Sequence, residues 1–112
     1  NGEQTRDFIF INDLVEVLLK SLNKNYSIEG QIFNLGTGIP VKIKKIINFI
    51  KDKNKKGKPQ FGLISLRKDE VKHFYANINK TKKIFKWRPR TKIENGLTKT
   101  IKYYENYFKN KF

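Results

Sequence analysis

The residues able to do chemistry are few, and the arginines stand apart among them. Of 25 basic residues, four are Arg (Arg6, Arg67, Arg88 and Arg90), which leaves 21 lysines. Where Lys is the default cation, an Arg marks work that needs its planar fork of donors, bidentate recognition of a phosphate or carboxylate. Two of the four stand in clusters with acids, Arg6-Asp7 and Arg67-Lys68-Asp69-Glu70. One such pair at a strand end is most often a surface ion pair worth less than about 1 kcal/mol. Two of them, each beside an apolar run, form a pattern.

Other chemistries lack their residues. Cys is absent, so thiolate metal sites and disulfides have no material, and His73 as the single His argues against a His-based metal site or a His-centred triad. Flanked by Lys72 and Phe74, His73 reads as a surface or packing residue. Gly36-Thr37-Gly38 has the look of a phosphate loop, but Pro40-Val41-Lys42 stands where the third Gly of a dinucleotide fingerprint would be, and a structural turn is the better reading. The aromatic set Tyr103, Tyr104, Tyr107 and Phe108 is expected to pack in the core.

The elements that position the arginines follow from hydrophobic period. Phe8-Ile9-Phe10-Ile11 suits a strand buried on both faces. Asp13 with Glu16 makes a capping-box pattern, and Leu14, Val15, Leu18, Leu19 and Leu22 give a helical stripe to about Lys24. A polar turn from Asn23 leads to a second strand, Ile32-Phe33-Asn34-Leu35, and then to a helix with Ile43, Ile46, Ile47 and Ile50 on one side. Phe61–Leu66 reads as a strand, Arg67–Glu70 as a charged loop and His73–Ala76 as a short extended piece. Asn79 is placed to cap a helix bearing Ile84 and Phe85, which Trp87-Arg88-Pro89 ends. From Ile93 a last helix spaces Leu97, Ile101, Tyr104 and Phe108 along one face.

The 112 residues allow one domain, and 38% apolar content can supply a core that hides about two-thirds of the unfolded surface. The net charge is +15. Its densest cluster, Lys51 to Lys58, lacks aromatics and reads as a solvated connector; the rival reading is a basic module for nucleic acid or another polyanion. No run approaches the roughly 18 apolar residues of a membrane span and no signal peptide is visible, so a cytoplasmic location is expected. Met is absent and the sequence opens on Asn1-Gly2-Glu3, so a piece of a longer chain is expected.

Arg6-Asp7-Phe8-Ile9-Phe10-Ile11-Asn12-Asp13 resembles the Arg-Asp-aromatic-hydrophobic-Val-x-Asp segment of the extended short-chain dehydrogenase/reductases, the NAD-dependent nucleotide-sugar epimerases, dehydratases and reductases. Later segments resemble that family's motifs in the same order. Phe33–Gly38 is similar to its Asn-hydrophobic-Gly-small-Gly turn, Arg67–Glu70 to its Arg-x-Gly-Asp/Glu loop, Phe85–Pro89 to its Leu-Gly-Trp-x-Pro, and Glu94-Asn95-Gly96-Leu97 to its Glu-x-Gly-Leu helix entry. Asp69 stands where that loop has Gly, Lys86 where Gly precedes Trp87, and Lys42 where a Ser or Thr commonly caps the second helix.

The resemblance implies an α/β fold, the C-terminal substrate-binding part of an extended Rossmann-type enzyme with about four helices and short strands. Residues 1–38 would dock on an absent Rossmann sheet, and 39–112 would supply substrate-domain helices. It implies substrate-binding roles for Arg6 and Arg67 on the phosphates of a nucleotide-diphosphate sugar, Phe8 beside the nucleotide, and Glu70 accepting from ribose hydroxyls. Charge-assisted bonds of about 1.5–3 kcal/mol each suit the first role, and an acceptor-only carboxylate suits the last. In that family the Tyr-x-x-x-Lys pair and the Gly-x-x-Gly-x-x-Gly loop lie upstream of the motifs matched here, so neither catalytic nor cofactor residues are assigned; NAD or NADP would bind elsewhere in the full enzyme. With its edges cut, the isolated piece is expected to self-associate or to be partly disordered near its N-terminus.

Overall fold

The computed structural model describes residues 1–23 and 26–111. Backbone pairing decides where its strands lie. β1 (Thr5–Asp7) runs antiparallel to β2 (Pro40–Lys42), with Arg6 opposite Val41. On its other edge a single parallel bridge joins Thr5 to His73: the Thr5 N–H donates to the Lys72 carbonyl at 2.8 Å, and the Phe74 N–H donates to the Thr5 carbonyl at 3.2 Å. A strand of three residues thus has both edges covered, and of the expected extended piece His73–Ala76 only His73 and Phe74 pair with it.

The expected strand over Phe8–Ile11 does not form. Residues 8–10 have no ladder partner, and α1 (Ile11–Ser21) starts at Ile11. An apolar run becomes a strand only where another backbone accepts its hydrogen bonds, and here the partners lie three residues earlier. Ile32–Leu35 is also outside any ladder. It keeps a strand's alternation, with Phe33 and Leu35 packed toward the core and Ile32 85% exposed, while side chains satisfy its carbonyls: Lys80 Nζ donates to Ile32 O at 3.0 Å and Thr81 Oγ1 to Asn34 O at 2.6 Å. Phe61–Leu66, the third expected strand, consists of exposed turns and bends.

The helices agree better with their periodicity. The capping box at Asp13 does not form, because Phe10 is the N-cap and Asp13 is the third helical residue, buried, with Oδ2 accepting the Thr91 N–H at 2.9 Å. It ties α1 to the loop before the last helix. The extension of α1 toward Lys24 falls on a residue outside the described ones. α2 (Ile43–Asn54) has Lys42 as an N-cap without a side-chain bond. The N-terminal segment substitutes for a cap: Ile43 N–H donates to Gln4 O at 3.0 Å and Lys44 N–H to Gly2 O at 2.8 Å. α2 includes Lys51–Asn54, so the basic connector begins only at Lys55, whose φ of 54° is left-handed.

α3 (Asn79–Phe85) begins with Asn79 inside the helix and not as its cap; Asn77 Oδ1 accepts the Asn79 N–H at 3.1 Å. The helix ends on Lys86 at φ 46°, the position where the similar motif has Gly. A side chain there costs about 1–2 kcal/mol, and the chain then turns Trp87 inward. α4 (Ile93–Lys109) rests on Phe10 through Gly96, where a Cβ would come 3.2 Å from Phe10 Cδ2. Close approach is the physical content of the Glu-x-Gly-Leu helix entry. Tyr103, Tyr104, Tyr107 and Phe108 are not core residues as expected: all four are exposed and stack on one another with centroids 5.3–6.3 Å apart.

The core gathers Val17 of α1, Phe85 of α3 and Trp87, with Leu14, Phe33 and Leu35 against them. α2 lies against α4, with Ile46 buried. The whole measures 49 × 42 × 21 Å with a radius of gyration of 17.1 Å, against about 13 Å for a compact domain of this length. The described residues form a slab of four helices with a short two-stranded sheet, the α/β arrangement implied above.

Candidate functional site

β1 holds three side chains that each fasten a different part of the chain. Arg6 pairs with Glu70 through Nη2 and Oε1, and its Nη1 donates to the carbonyls of Val71 at 2.9 Å and Thr5 at 2.8 Å. Glu70 in turn donates its N–H to the Arg67 carbonyl at 3.1 Å, closing the turn 67–70. Arg6, Glu70 and the turn bearing Arg67, 61 to 64 residues apart along the chain, thus meet at one place. The Arg6 and Glu70 side chains keep 30% and 24% exposure, and Arg67 is exposed.

Phe8 belongs to a neighbouring feature. It lines a cleft of about 460 Å³ with Thr37, Ile39, Lys42, Lys45 and Lys92, between β2 and the start of α4. The Arg6–Glu70 pair is not in that lining. The three lysines are functional candidates that the sequence reading did not select. A signal was available: Lys42 and Lys92 occupy N-cap positions, and Lys45 lies in the first turn of α2. Helix starts favour Asp, Asn, Ser or Thr and repel cations. Exposed acids offset two of the charges: Lys45 Nζ lies 2.8 Å from Glu94 Oε1 and Lys42 Nζ 2.7 Å from Glu3 Oε2. The hydrogen bond from each Lys holds the Glu94 and Glu3 carboxyls below the ordinary range.

Asp7, on the same strand, faces the Gly36–Gly38 turn. Oδ1 accepts the Thr37 N–H at 2.8 Å and the Thr37 hydroxyl; Oδ2 accepts the N–H groups of Gly38 at 2.9 Å and Ala76 at 3.2 Å. Four donors fill the roughly four lone-pair sites of an ionised carboxylate. Burial raises the Asp7 pKa, but the hydrogen bonds from Thr37, Gly38 and Ala76 together outweigh it and hold the carboxyl below its ordinary value. A group harder to protonate folded than unfolded stabilises the fold above the unfolded value of about pH 4, and that contribution disappears as pH falls through the lower folded value. The urea midpoint of the wild type should therefore fall more steeply below about pH 4 than that of Asp7→Asn. Equal slopes would remove this account of Asp7.

The same geometry decides what the glycine turn can hold. The amides of Thr37 and Gly38 that a dinucleotide phosphate would require are donated to Asp7, and a Cβ on Gly36 would lie 2.5 Å from Asp7 Oδ2. The turn is the structural one expected from the sequence and does not fit a nicotinamide dinucleotide.

Comparisons with known proteins agree with this fold. The family model of the GDP-mannose 4,6 dehydratases matches residues 1–100. An uncharacterized protein of Methanocaldococcus jannaschii is 37% identical over 97 residues, 86% of this chain and 28% of its own length. The UDP-glucuronate 4-epimerase of Thermodesulfobacterium geofontis is 35% identical over 103 residues, 90% of this chain and 30% of the relative. Among solved structures, UDP-glucose 4-epimerase of Thermotoga maritima with UDP-glucose superposes with a TM-score of 0.81 at 24% identity, a likeness of fold over 96% of this chain and 34% of that one. UDP-glucuronic acid 4-epimerase of Bacillus cereus, in complex with UDP-glucuronic acid and NAD, gives 0.75 at 28% identity over 88% and 31%. The chain thus spans about a third of the length of the relatives it matches. With most of its residues under one family model, and the ordered motifs falling on the strand, turns and helices just described, the chain belongs to the nucleotide-sugar epimerase and dehydratase family of the extended short-chain dehydrogenase/reductases.

Proposed function

We propose that this chain is the part of an NAD(P)-dependent nucleotide-sugar epimerase, dehydratase or reductase that grips the nucleotide diphosphate of its substrate. The observation that supports the reading most is the meeting of Arg6 with the turn 67–70 across more than 60 residues of chain. Arg6 and Arg67 hold the diphosphate by charge-assisted bonds, Glu70 accepts from the ribose hydroxyls, and Phe8 flanks the nucleotide. Before substrate arrives, Arg6 is occupied by Glu70 and the Val71 carbonyl, so the diphosphate competes for donors already held in place. The work of these residues is to bind and orient.

The nicotinamide cofactor and the catalytic residues belong to the rest of the enzyme, and residues 1–38 dock on its Rossmann sheet. Three features support this: the slab shape, the exposed stripe of Ile11, Val15 and Leu18 on α1 with Leu22 at its C-cap, and the share of the relatives' length that the chain covers. The isolated piece is inactive and self-associates through that stripe. The rival reading, a basic module for polyanions, draws on the net charge alone.

Calorimetric titration of the full-length protein with UDP, dTDP, GDP and CDP, and separately with single-stranded DNA at the same ionic strength, decides between the two. Saturable binding of at least one nucleoside diphosphate is expected. Its absence, with DNA bound, would establish the rival.

A further inference from the structure

We infer that Asp7 is the positioning residue of this site, and that its carboxylate sets the distance between Arg6 and the 67–71 turn by anchoring two loops to the end of β1. The inference rests on the nucleotide-diphosphate reading of Arg6 and Glu70 given above. Residues 70–76 reach β1 by three successive fastenings. Glu70 and Val71 meet the Arg6 guanidinium, the backbone of residues 72 and 74 meets Thr5, and the Ala76 N–H meets Asp7 Oδ2. The Thr5 hydroxyl adds a contact with His73 Nδ1 at 3.1 Å. Asp7 is the one residue among these that also holds the Gly36–Gly38 turn, through Thr37 and Gly38. Because Thr37 lines the Phe8 cleft, one carboxylate relates the cleft, the strand and the Glu70 segment.

An amide cannot replace it. Asn offers one acceptor oxygen, and its NH2 group would face amide N–H groups on the other side. Two of the four donors would then lose their partner, those of Gly38 and Ala76 if the oxygen stays with Thr37. The Ala76 end of the segment would be freed, and with it the placement of Glu70 and Val71 against Arg6. Gly36 shows how closely the arrangement is fitted, since a Cβ there would meet both Asp7 Oδ2 at 2.5 Å and Ala76 Cβ at 2.9 Å.

The test is a double-mutant cycle on UDP affinity in the full-length protein, with Asp7→Asn, Arg6→Ala and the pair, each checked for fold by circular dichroism. Asp7→Asn is expected to weaken UDP about tenfold alone and about twofold or less once Arg6 is already Ala, because its effect passes through Arg6. A merely structural role would move both backgrounds by the same factor, and that result overturns the inference, as does unchanged affinity in Asp7→Asn while Arg6→Ala is weakened. A silent Arg6→Ala is a different failure and sinks the underlying reading of the site as well. If Asp7→Asn does not fold, Thr37→Val removes the hydroxyl donor to Oδ1 together with the acceptor of the Ile39 N–H. It should weaken UDP about threefold while Thr37→Ser, which keeps the hydroxyl, retains wild-type affinity. Equal affinity in the two overturns the inference.

Discussion

Arg6→Ala in the full-length protein should weaken nucleoside-diphosphate binding by about tenfold to a hundredfold, read by titration calorimetry at fixed ionic strength. A hydrogen bond to a charged group contributes about 1.5–3 kcal/mol, and every 1.4 kcal/mol or so is a factor of ten. The geometry makes Arg6 the more sensitive of the two arginines. Its guanidinium is already held by Glu70 and Val71, so little of its rotamer entropy remains to be lost on binding, whereas Arg67 is exposed. Truncation also leaves the partly buried Glu70 carboxylate without its cation. Arg67→Ala should lose about tenfold. Arg6→Lys should fall between Arg6→Ala and wild type, because a point charge keeps the attraction to phosphate but not the fork that spans Glu70 and the Val71 carbonyl. Unchanged affinity in both alanine variants would remove the proposed grip.

Phe85→Ala should destabilise the fold by about 3–5 kcal/mol, roughly a fifth or more of the stability of an ordinary domain. Phe85 is 2% exposed at the point where α1, α3 and the 33–35 segment meet. Its ring takes Tyr26 edge-on at 5.1 Å and Phe33 at a tilt at 5.0 Å, so the cavity would cost both aromatic contacts as well as the packing of Val17 and Trp87. With only Val17, Ile46, Ile78, Phe85 and Trp87 as buried apolar residues among the described ones, the slab has little other core to absorb the loss. The shift of the urea midpoint measures it. A loss below about 1 kcal/mol would mean that the site collapses around the gap.

The helical face patterns were legible because their information is local. An amphipathic stripe is written into neighbouring residues, and each of the four helices covers the stripe its period marks, although Asp13 and Asn79 lie inside their helices and not at the caps. Strands were misread for the opposite reason. The apolar runs Phe8–Ile11, Ile32–Leu35 and Phe61–Leu66 look alike in sequence, yet the strand is the more polar Thr5-Arg6-Asp7, because that is where the backbones of 40–42 and 72–74 come alongside. The aromatic face of α4 was misassigned similarly, since spacing reveals a face but not whether anything covers it.

For the site, the sequence by itself determined which side chains carry donors suited to a diphosphate: scarcity made the arginines conspicuous, and the ordered motifs supplied a family. It also favoured a structural turn over a dinucleotide loop at Gly36–Gly38. Only the tertiary structure decided that Arg6 would meet Glu70, that Asp7 would gather donors from residues 37, 38 and 76, that Asp13 would leave its cap to hold Thr91, and that Phe8 would line a lysine-bearing cleft. These are contacts between segments 30 to 78 residues apart. Residue type sets what a side chain can donate or accept, but which partner it meets depends on how the whole chain closes, and no local period records that.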